Sequence, residues 1–385
     1  MTRQILSGAR LFDGLRFLDD AALVVEGGQI VAILPRADVP GGPVTELAGG
    51  ILAPGLLDLQ VNGGGGVMLG AEGTVAEIET ICRAHLAAGT TGLLPTLITD
   101  TPAMTAKVIE AGIAAARKGV PGFLGLHLEG PHLDPRRKGA HEAGLIRPMG
   151  DDDLRLLLRA AAELPHLMVT LAPASARTDQ IAALAHAGAI VSLGHAEATL
   201  EEANSAFAAG ARSVTHLFNA MSPLSHRAPG LVGAALDAPE VFAGIIGDGV
   251  HVAPEVLRVA FAAKRGGAKL YAVTDAMAVA GTDQASFRLA GREILRRDGR
   301  LTLADGTLAG ADITLPAAIR YLVQTVGLPA ETALAAATAT PAACLGIGAT
   351  RGHLALGARA DLVWLSDAFE VQAVWLGGTE TTPRT

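Results

Sequence analysis

Cysteine is nearly absent from this sequence, which has only Cys82 and Cys344. Both sit in alanine-rich stretches that read as helix, so a disulfide framework is not implied and free structural thiols are expected. Charge is sparse as well, with 18% charged residues against 50% hydrophobic, a balance that excludes extensive disorder. Basic residues are in deficit, 30 Lys and Arg against 38 Asp and Glu. The resulting formal charge of -8 gives no electrostatic reason to bind nucleic acid or an anionic membrane, and neither partner is expected. No apolar run approaches the ~20 residues that span a bilayer. The opening MTRQILSGARLFDG lacks the basic-then-apolar layout of a signal peptide. A soluble, cytoplasmic protein is therefore expected.

What the chain does have is a change of rhythm. The first fifty residues alternate short apolar runs with turn signals, as in AALVVEGGQIVAIL, where Gly27-Gly28 reads as a hairpin turn. The same texture returns in RGHLALGARADLVWLSDAFEVQAVWLGG near the C-terminus, and two such segments can pair into one small sheet module. Between them, eight apolar runs of strand length alternate with helix-length segments. They run from Gly55 to Val61, Thr91 to Ile98, Gly122 to Glu129, Leu167 to Pro173, Ala189 to His195, Ser213 to Phe218, Phe242 to Asp248 and Lys269 to Asp275. Separators such as TVAEIETICRAHLAAG and TLEEANSAFAAGA start with residues suited to an N-cap. Alternating strands and helices call for a parallel sheet, and eight repeats suggest a closed (β/α)8 TIM barrel. A doubly wound open sheet is the rival, but NGGGGV does not make a GxGxxG turn with a following acidic ribose contact. The expected division is α/β: residues 54–349 form the barrel, and 1–53 plus 350–385 form a β-sandwich domain.

The polar residues collect where the predicted strands end, at Glu129, His195, His216, Asp248 and Asp275. Buried there without partners, such groups would cost on the order of 2 to 7 kcal/mol each, even when neutral. A carboxylate and two imidazoles are a common ligand set for a catalytic divalent metal, and Glu129, His195 and His216 supply that set. Asp275 could then be the base that deprotonates a water beside the metal.

The stretches LAPGLLDLQVNGGGG, HLEGPHLDPRRKGAH, SLGHAEAT, VTHLFNAMSPLSHRAPG, GDGVHV and VTDAM occur in this order across nearly the whole chain. With them the sequence resembles the N-acetylglucosamine-6-phosphate deacetylase family of the amidohydrolase superfamily. The resemblance implies a (β/α)8 barrel with a flanking β-sandwich built from both chain ends. It implies that Glu129, His195 and His216 bind the metal, that Asp275 is the general acid/base, and that His141 contacts the substrate and its developing oxyanion. Arg227, His251 and the backbone N–H groups of Asn219 and Ala220 match the family's phosphate contacts, and Leu308, Ala309 and Gly310 its substrate wall. Many amidohydrolases carry an HxH pair on the first barrel strand for a second metal; Gln60 and Asn62 stand there instead. Amides are poor substitutes for imidazole, so one divalent ion per subunit is expected, Zn2+ ahead of Fe2+, Mn2+ or Co2+. The implied reaction is deacetylation of N-acetyl-D-glucosamine 6-phosphate to D-glucosamine 6-phosphate and acetate, in amino-sugar catabolism and cell-wall sugar recycling. In the family the arginine reaches a neighbouring active site, so a homodimer is expected, with Arg227 serving its partner.

Two positions depart from the pattern. Ala228 follows Arg227 where relatives carry glutamate, and His132 follows EGP where an apolar or aromatic residue is usual. Arg136, Arg137 and Lys138 read as a solvated loop face, and His127, two residues before Glu129, as a hydrogen-bonded core residue. Asp58 is read as structural. The competing functions are an amidohydrolase acting on an N-acyl amino acid or cyclic amide, which needs no phosphate site, and a non-catalytic scaffold, which would have lost ligands that are all present here.

Overall fold

The computed structural model describes residues 3–39 and 41–381. All eight predicted strands form, and they pair in sequence order as one parallel sheet. They are β1 (Leu56–Val61), β2 (Thr90–Ile98), β3 (Leu126–Glu129), β4 (Leu167–Leu171), β5 (Ile190–Leu193), β6 (Ser213–Val214), β7 (Phe242–Ile246) and β8 (Leu270–Val273). The sheet closes between β8 and β1. Val61 bridges Ala276 in parallel, Asp275 N–H donates to Gln60 C=O at 3.0 Å, and Asn62 N–H donates to Ala276 C=O at 2.8 Å. A parallel sheet closed this way, with helices between its strands, is a TIM barrel.

Helix starts follow their capping chemistry. Thr74 and Thr199 each accept a bond from the backbone three residues on, and Glu77 and Glu202 bond back, completing capping boxes ahead of helices Val75–Ala87 and Leu200–Ala208. Gly27-Gly28 forms the predicted hairpin: Glu26 pairs with Gln29 and both glycines have positive φ, as a two-residue turn between twisted strands requires. The chain ends meet as expected, since Leu362–Leu365 pairs antiparallel with Ile51–Pro54 in a six-stranded sheet and a second, four-stranded sheet comes from the N-terminal segment. A separate apolar cluster around Leu11, Leu52, Leu362 and Trp375 packs these terminal strands. Cys82 and Cys344 are free and buried, and burial pushes both thiols up to about 12, which leaves them unreactive.

One element was not read from sequence. After β8 the chain makes a four-stranded antiparallel sheet of β9 (Ser286–Leu289), β10 (Arg292–Arg297), β11 (Arg300–Thr302) and β12 (Leu308–Ala311). Its apolar side, Leu289, Ile294, Leu301 and Ala309, packs on Met277 and Val279 just beyond β8. The sheet therefore sits over the end of the barrel where the strands terminate.

Candidate active site

The site begins with how strands end. Glu129 is the last residue of β3, and His195, His216 and Asp275 each lie two residues beyond β5, β6 and β8. These three have left-handed backbone, with φ of 47°, 28° and 49°. Non-glycine residues adopt that region at a cost and do so mainly where a chain must turn sharply to place a side chain. Here the turns bring three buried side chains to one point at the barrel mouth.

Glu129 Oε1 lies 3.0 Å from His216 Nε2 and 3.2 Å from His195 Nε2, and the two imidazole nitrogens are 3.1 Å apart. In a tetrahedral site with bonds of about 2.1 Å, ligand atoms stand about 3.4 Å from one another. The trio is thus close to the spacing one divalent ion imposes. His195 Nδ1 is 2.8 Å from the carbonyl oxygen of Arg137 and must be the protonated nitrogen, so Nε2 carries the lone pair a metal needs. His216 Nδ1, by contrast, is buried without a partner among the described residues. Glu129, His141 and His195 also present ligand atoms within 4.8 Å of one another. His141 is the looser third member, its Nε2 standing 3.9 Å from Glu129 Oε2, and the tighter trio is the one with His216.

Electrostatics suit a cation. Burial works against the Glu129 carboxylate, but the adjacent His195 and His216 imidazoles outweigh it and hold its pKa well below the usual range. Burial favours the neutral form of His141, which is lowered to about 3, with the neighbouring His195 adding to the effect. Asp275 is raised to about 6, first by burial and then by the negative charge of Glu129, with His216 and an Asn62 hydrogen bond opposing. A carboxyl poised near the operating pH can exchange protons in both directions.

Gln60 and Asn62 occupy the space between the two carboxylates. Gln60 Nε2 donates to Glu129 Oε1 at 3.2 Å and to Asp275 Oδ1 at 3.1 Å, and Asn62 Nδ2 donates to Asp275 Oδ1 at 2.6 Å. Neutral amide donors thus hold both acids in place. Below, His127 bonds Leu59 C=O at 3.1 Å and Thr170 Oγ1 at 2.7 Å, and Thr170 and Ser192 both bond Thr215. This satisfied polar layer makes His127 the core residue expected and supports the site from beneath. Asp58 ties β8 to β1 by accepting from Thr274 Oγ1 at 2.6 Å and from Gln60 N–H at 3.2 Å.

A cavity of 260 Å³ opens above these groups, lined by Glu129, His195, His216 and Asp275 together with His141, Asn219, Ala220, His251, Leu308 and Gly310. His251 is oriented by Asp248, whose Oδ2 is 2.6 Å from its Nδ1. Ala309 is buried in the covering sheet's core, and it does not line the cavity. Arg227 lies elsewhere, on the exposed stretch 223–228, beside a separate groove that also holds Arg136 and Glu197. The solvated reading fits Arg136 and Lys138, but Arg137 is half-buried, pairs with Glu197 and supplies the carbonyl that orients His195. His132 is buried away from the cavity against Arg147 C=O. Sequence reasoning missed Thr99, whose hydroxyl is 2.7 Å from His141 Nδ1, and Leu289 and Thr307 of the covering sheet. No motif marks Thr99, whereas the sheet is foreshadowed by the turn pairs Asp298-Gly299 and Asp305-Gly306 between alternating strands.

Comparison with known proteins agrees with this geometry. Residues 51–381 match the model of the amidohydrolase family. An N-acetylgalactosamine-6-phosphate deacetylase from a Shewanella strain is 37% identical over 97% of this chain and 95% of its own length. An N-acetylglucosamine-6-phosphate deacetylase from Rattus norvegicus is 38% identical over 86% of this chain and 84% of its own. The crystal structure of N-acetylglucosamine-6-phosphate deacetylase from Pasteurella multocida superposes with a TM-score of 0.95 at 36% identity, covering 99% of this chain and 100% of that one. A mutant enzyme of the same name from Mycobacterium smegmatis, in complex with N-acetyl-D-glucosamine-6-phosphate, gives 0.90 at 32% identity, covering 99% of each chain.

Proposed function

From the premise that the chain belongs to the amidohydrolase family, we propose that it removes the acetyl group of N-acetyl-D-glucosamine 6-phosphate, releasing acetate and D-glucosamine 6-phosphate. The observation that carries this reading is the Glu129–His195–His216 cluster with Asp275 beside it at the floor of one cavity. Glu129, His195 and His216 would hold a divalent ion, with Zn2+ the preferred identity, and it would supply Lewis-acid chemistry and lower the pKa of a neighbouring water. One ion per chain fits the amide donors of Gln60 and Asn62 between the carboxylates.

Asp275 takes a proton as the water oxygen attacks the acetamide carbon. Its Oδ1 is fixed by Asn62 and Gln60, and its pKa near 6 lets it act as a carboxylate at neutral pH. His141, neutral and held by Thr99, donates from Nε2 to the developing oxyanion. When the C–N bond breaks, the proton held by Asp275 passes to the amine, which leaves with the sugar, and the acyl carbon departs as acetate. His251 and the backbone N–H of Ala220 take the phosphate in this reading, whereas the Asn219 N–H expected to join them already donates to the His216 carbonyl oxygen at 3.0 Å. Arg227 completes that site from a second subunit of a cytoplasmic homodimer; its exposed loop, with Leu224 55% exposed, supports such a contact. The forked guanidinium suits phosphate by pairing with two oxygens.

The test compares N-acetylglucosamine with its 6-phosphate for wild type and Arg227→Ala, with metal content measured on the same samples. The reading expects a strong preference for the 6-phosphate that largely disappears in the variant. Equal activity on both sugars, unaltered by Arg227→Ala, would remove the phosphate assignment and leave a metal-dependent amidohydrolase of another substrate.

A further inference from the structure

Two arginines tie the covering sheet, one at its root and one beside its hairpin tip. In the β9–β10 hairpin Leu289 stands opposite Arg292 and Phe287 opposite Ile294. Residues directly opposite share a face, so Arg292 is on the same side as Leu289 and Ile294, which are buried against Met277 and Val279. Arg296, two positions beyond Ile294, is on that side too. It donates to Asp312 Oδ2 at 2.7 Å and to Thr282 C=O at 2.6 Å. Thr282 and Asp312 flank the sheet in sequence, so Arg296 closes the sheet's own root.

Arg292 is at the other end, beside the hairpin tip. Its Nη2 donates to the carbonyl oxygen of Ala140, the residue before His141. Its Nε is buried with no partner among the described residues. An unpaired buried donor is costly, so packing alone gives no reason to keep a guanidinium here rather than an apolar side chain. The segment it grips is a surface turn closed by the His141 N–H to the Lys138 carbonyl oxygen at 3.0 Å, with Lys138 and Gly139 exposed and Gly139 at a φ of 54°. His141 itself is held through Nδ1 by Thr99, which fixes the ring but not the approach of the preceding backbone.

We propose that Arg292 is a positioning residue that latches the tip of the covering sheet onto the Gly139–His141 segment and so sets where the His141 imidazole sits in the cavity. The inference rests on the deacetylase reading for its catalytic consequence, but the latch itself does not. Hydrogen exchange tests the latch first. In Arg292→Ala, the His141 amide, which donates to the Lys138 carbonyl oxygen, and the amides of residues 289–292 exchange about tenfold faster or more, while those of the barrel strands keep their wild-type rates. Unchanged exchange in both segments overturns the latch, whatever reaction the enzyme performs.

Kinetics then test the consequence. Arg292→Ala lowers kcat/KM for N-acetylglucosamine 6-phosphate about tenfold, but by less than about twofold when introduced into His141→Ala, because a positioning residue has no effect once its target is gone. Arg292→Lys, which keeps a charged donor, recovers most of the loss. Equal losses in the two backgrounds, or no loss in the first, overturn the proposal. Should the alanine variant not fold, Arg292→Gln carries the same expectations. A wild-type enzyme inactive on this substrate sinks the deacetylase reading instead, and the exchange result still decides the latch.

Discussion

Replacing Asn62 with alanine isolates how the acid/base is tuned. Asp275 is raised to about 6 by burial and by Glu129, against the opposing pull of His216 and of the Asn62 amide 2.6 Å from Oδ1. A hydrogen bond to a charged group contributes about 1.5–3 kcal/mol. At about 1.36 kcal/mol per pH unit, its loss would raise the Asp275 pKa by about one to two units. Gln60 still donates to the same oxygen, so the lower end, about one unit, is expected. The base must be ionised to act, so activity is present above this pKa and lost as pH falls through it. The acid limb of kcat/KM against pH therefore moves upward in Asn62→Ala. At the wild-type midpoint the ionised fraction drops from about one half to about one tenth, a loss of about fivefold. A bound cation lowers Asp275 in both proteins, so the difference between the limbs is the quantity to measure. Folding should tolerate the change, because Asn62 Oδ1 is buried without a partner among the described residues and leaves with the side chain. An acid limb that stays in place, or moves down, in a variant with normal metal content would falsify the assignment of Asp275 as the titrating base.

Three further outcomes follow from the same geometry. Asp275→Asn should lower kcat by about 10²- to 10⁴-fold while metal content stays normal, because the amide keeps the shape but cannot accept the proton; loss of metal in this variant would make Asp275 a ligand instead. Chelation should abolish acetate release and Zn2+ should restore it, and activity persisting in metal-free protein would contradict the role given to Glu129, His195 and His216. Gly310→Ala should lower kcat/KM by as much as about 10²-fold through misplacement of Asp275. A Cβ at Gly310, where φ is +68°, would lie 2.7 Å from the Asp275 carbonyl oxygen and 2.4 Å from Met277 Cγ. A fully active Gly310→Ala enzyme would show that this end of β8 relaxes freely.

The barrel was legible in the sequence because each buried parallel strand is a short apolar run bounded by a helix, and all eight runs became strands. The gathering of Glu129, His195, His216 and Asp275 was legible for a related reason: a polar residue closing an apolar run in a barrel has one common destination, the mouth. The left-handed turns that aim His195, His216 and Asp275 were not visible, since the left-handed positions are held by His and Asp themselves and not by glycine. The covering sheet was missed although Asp298-Gly299 and Asp305-Gly306 mark two of its turns. Its strands are half-exposed and rich in arginine, so they lack the apolar signature that identified the barrel. The bonds from Thr99 to His141 and from Arg292 to Ala140 join positions 42 and 152 residues apart, and no local pattern encodes them.

The account turns on one reaction, and product analysis by proton NMR on metal-loaded enzyme addresses it directly. With N-acetyl-D-glucosamine 6-phosphate as sole substrate, the expected result is acetate and D-glucosamine 6-phosphate appearing in equal amounts. An unchanged substrate, while the same sample cleaves an unphosphorylated N-acyl amino acid or a cyclic amide, would contradict it.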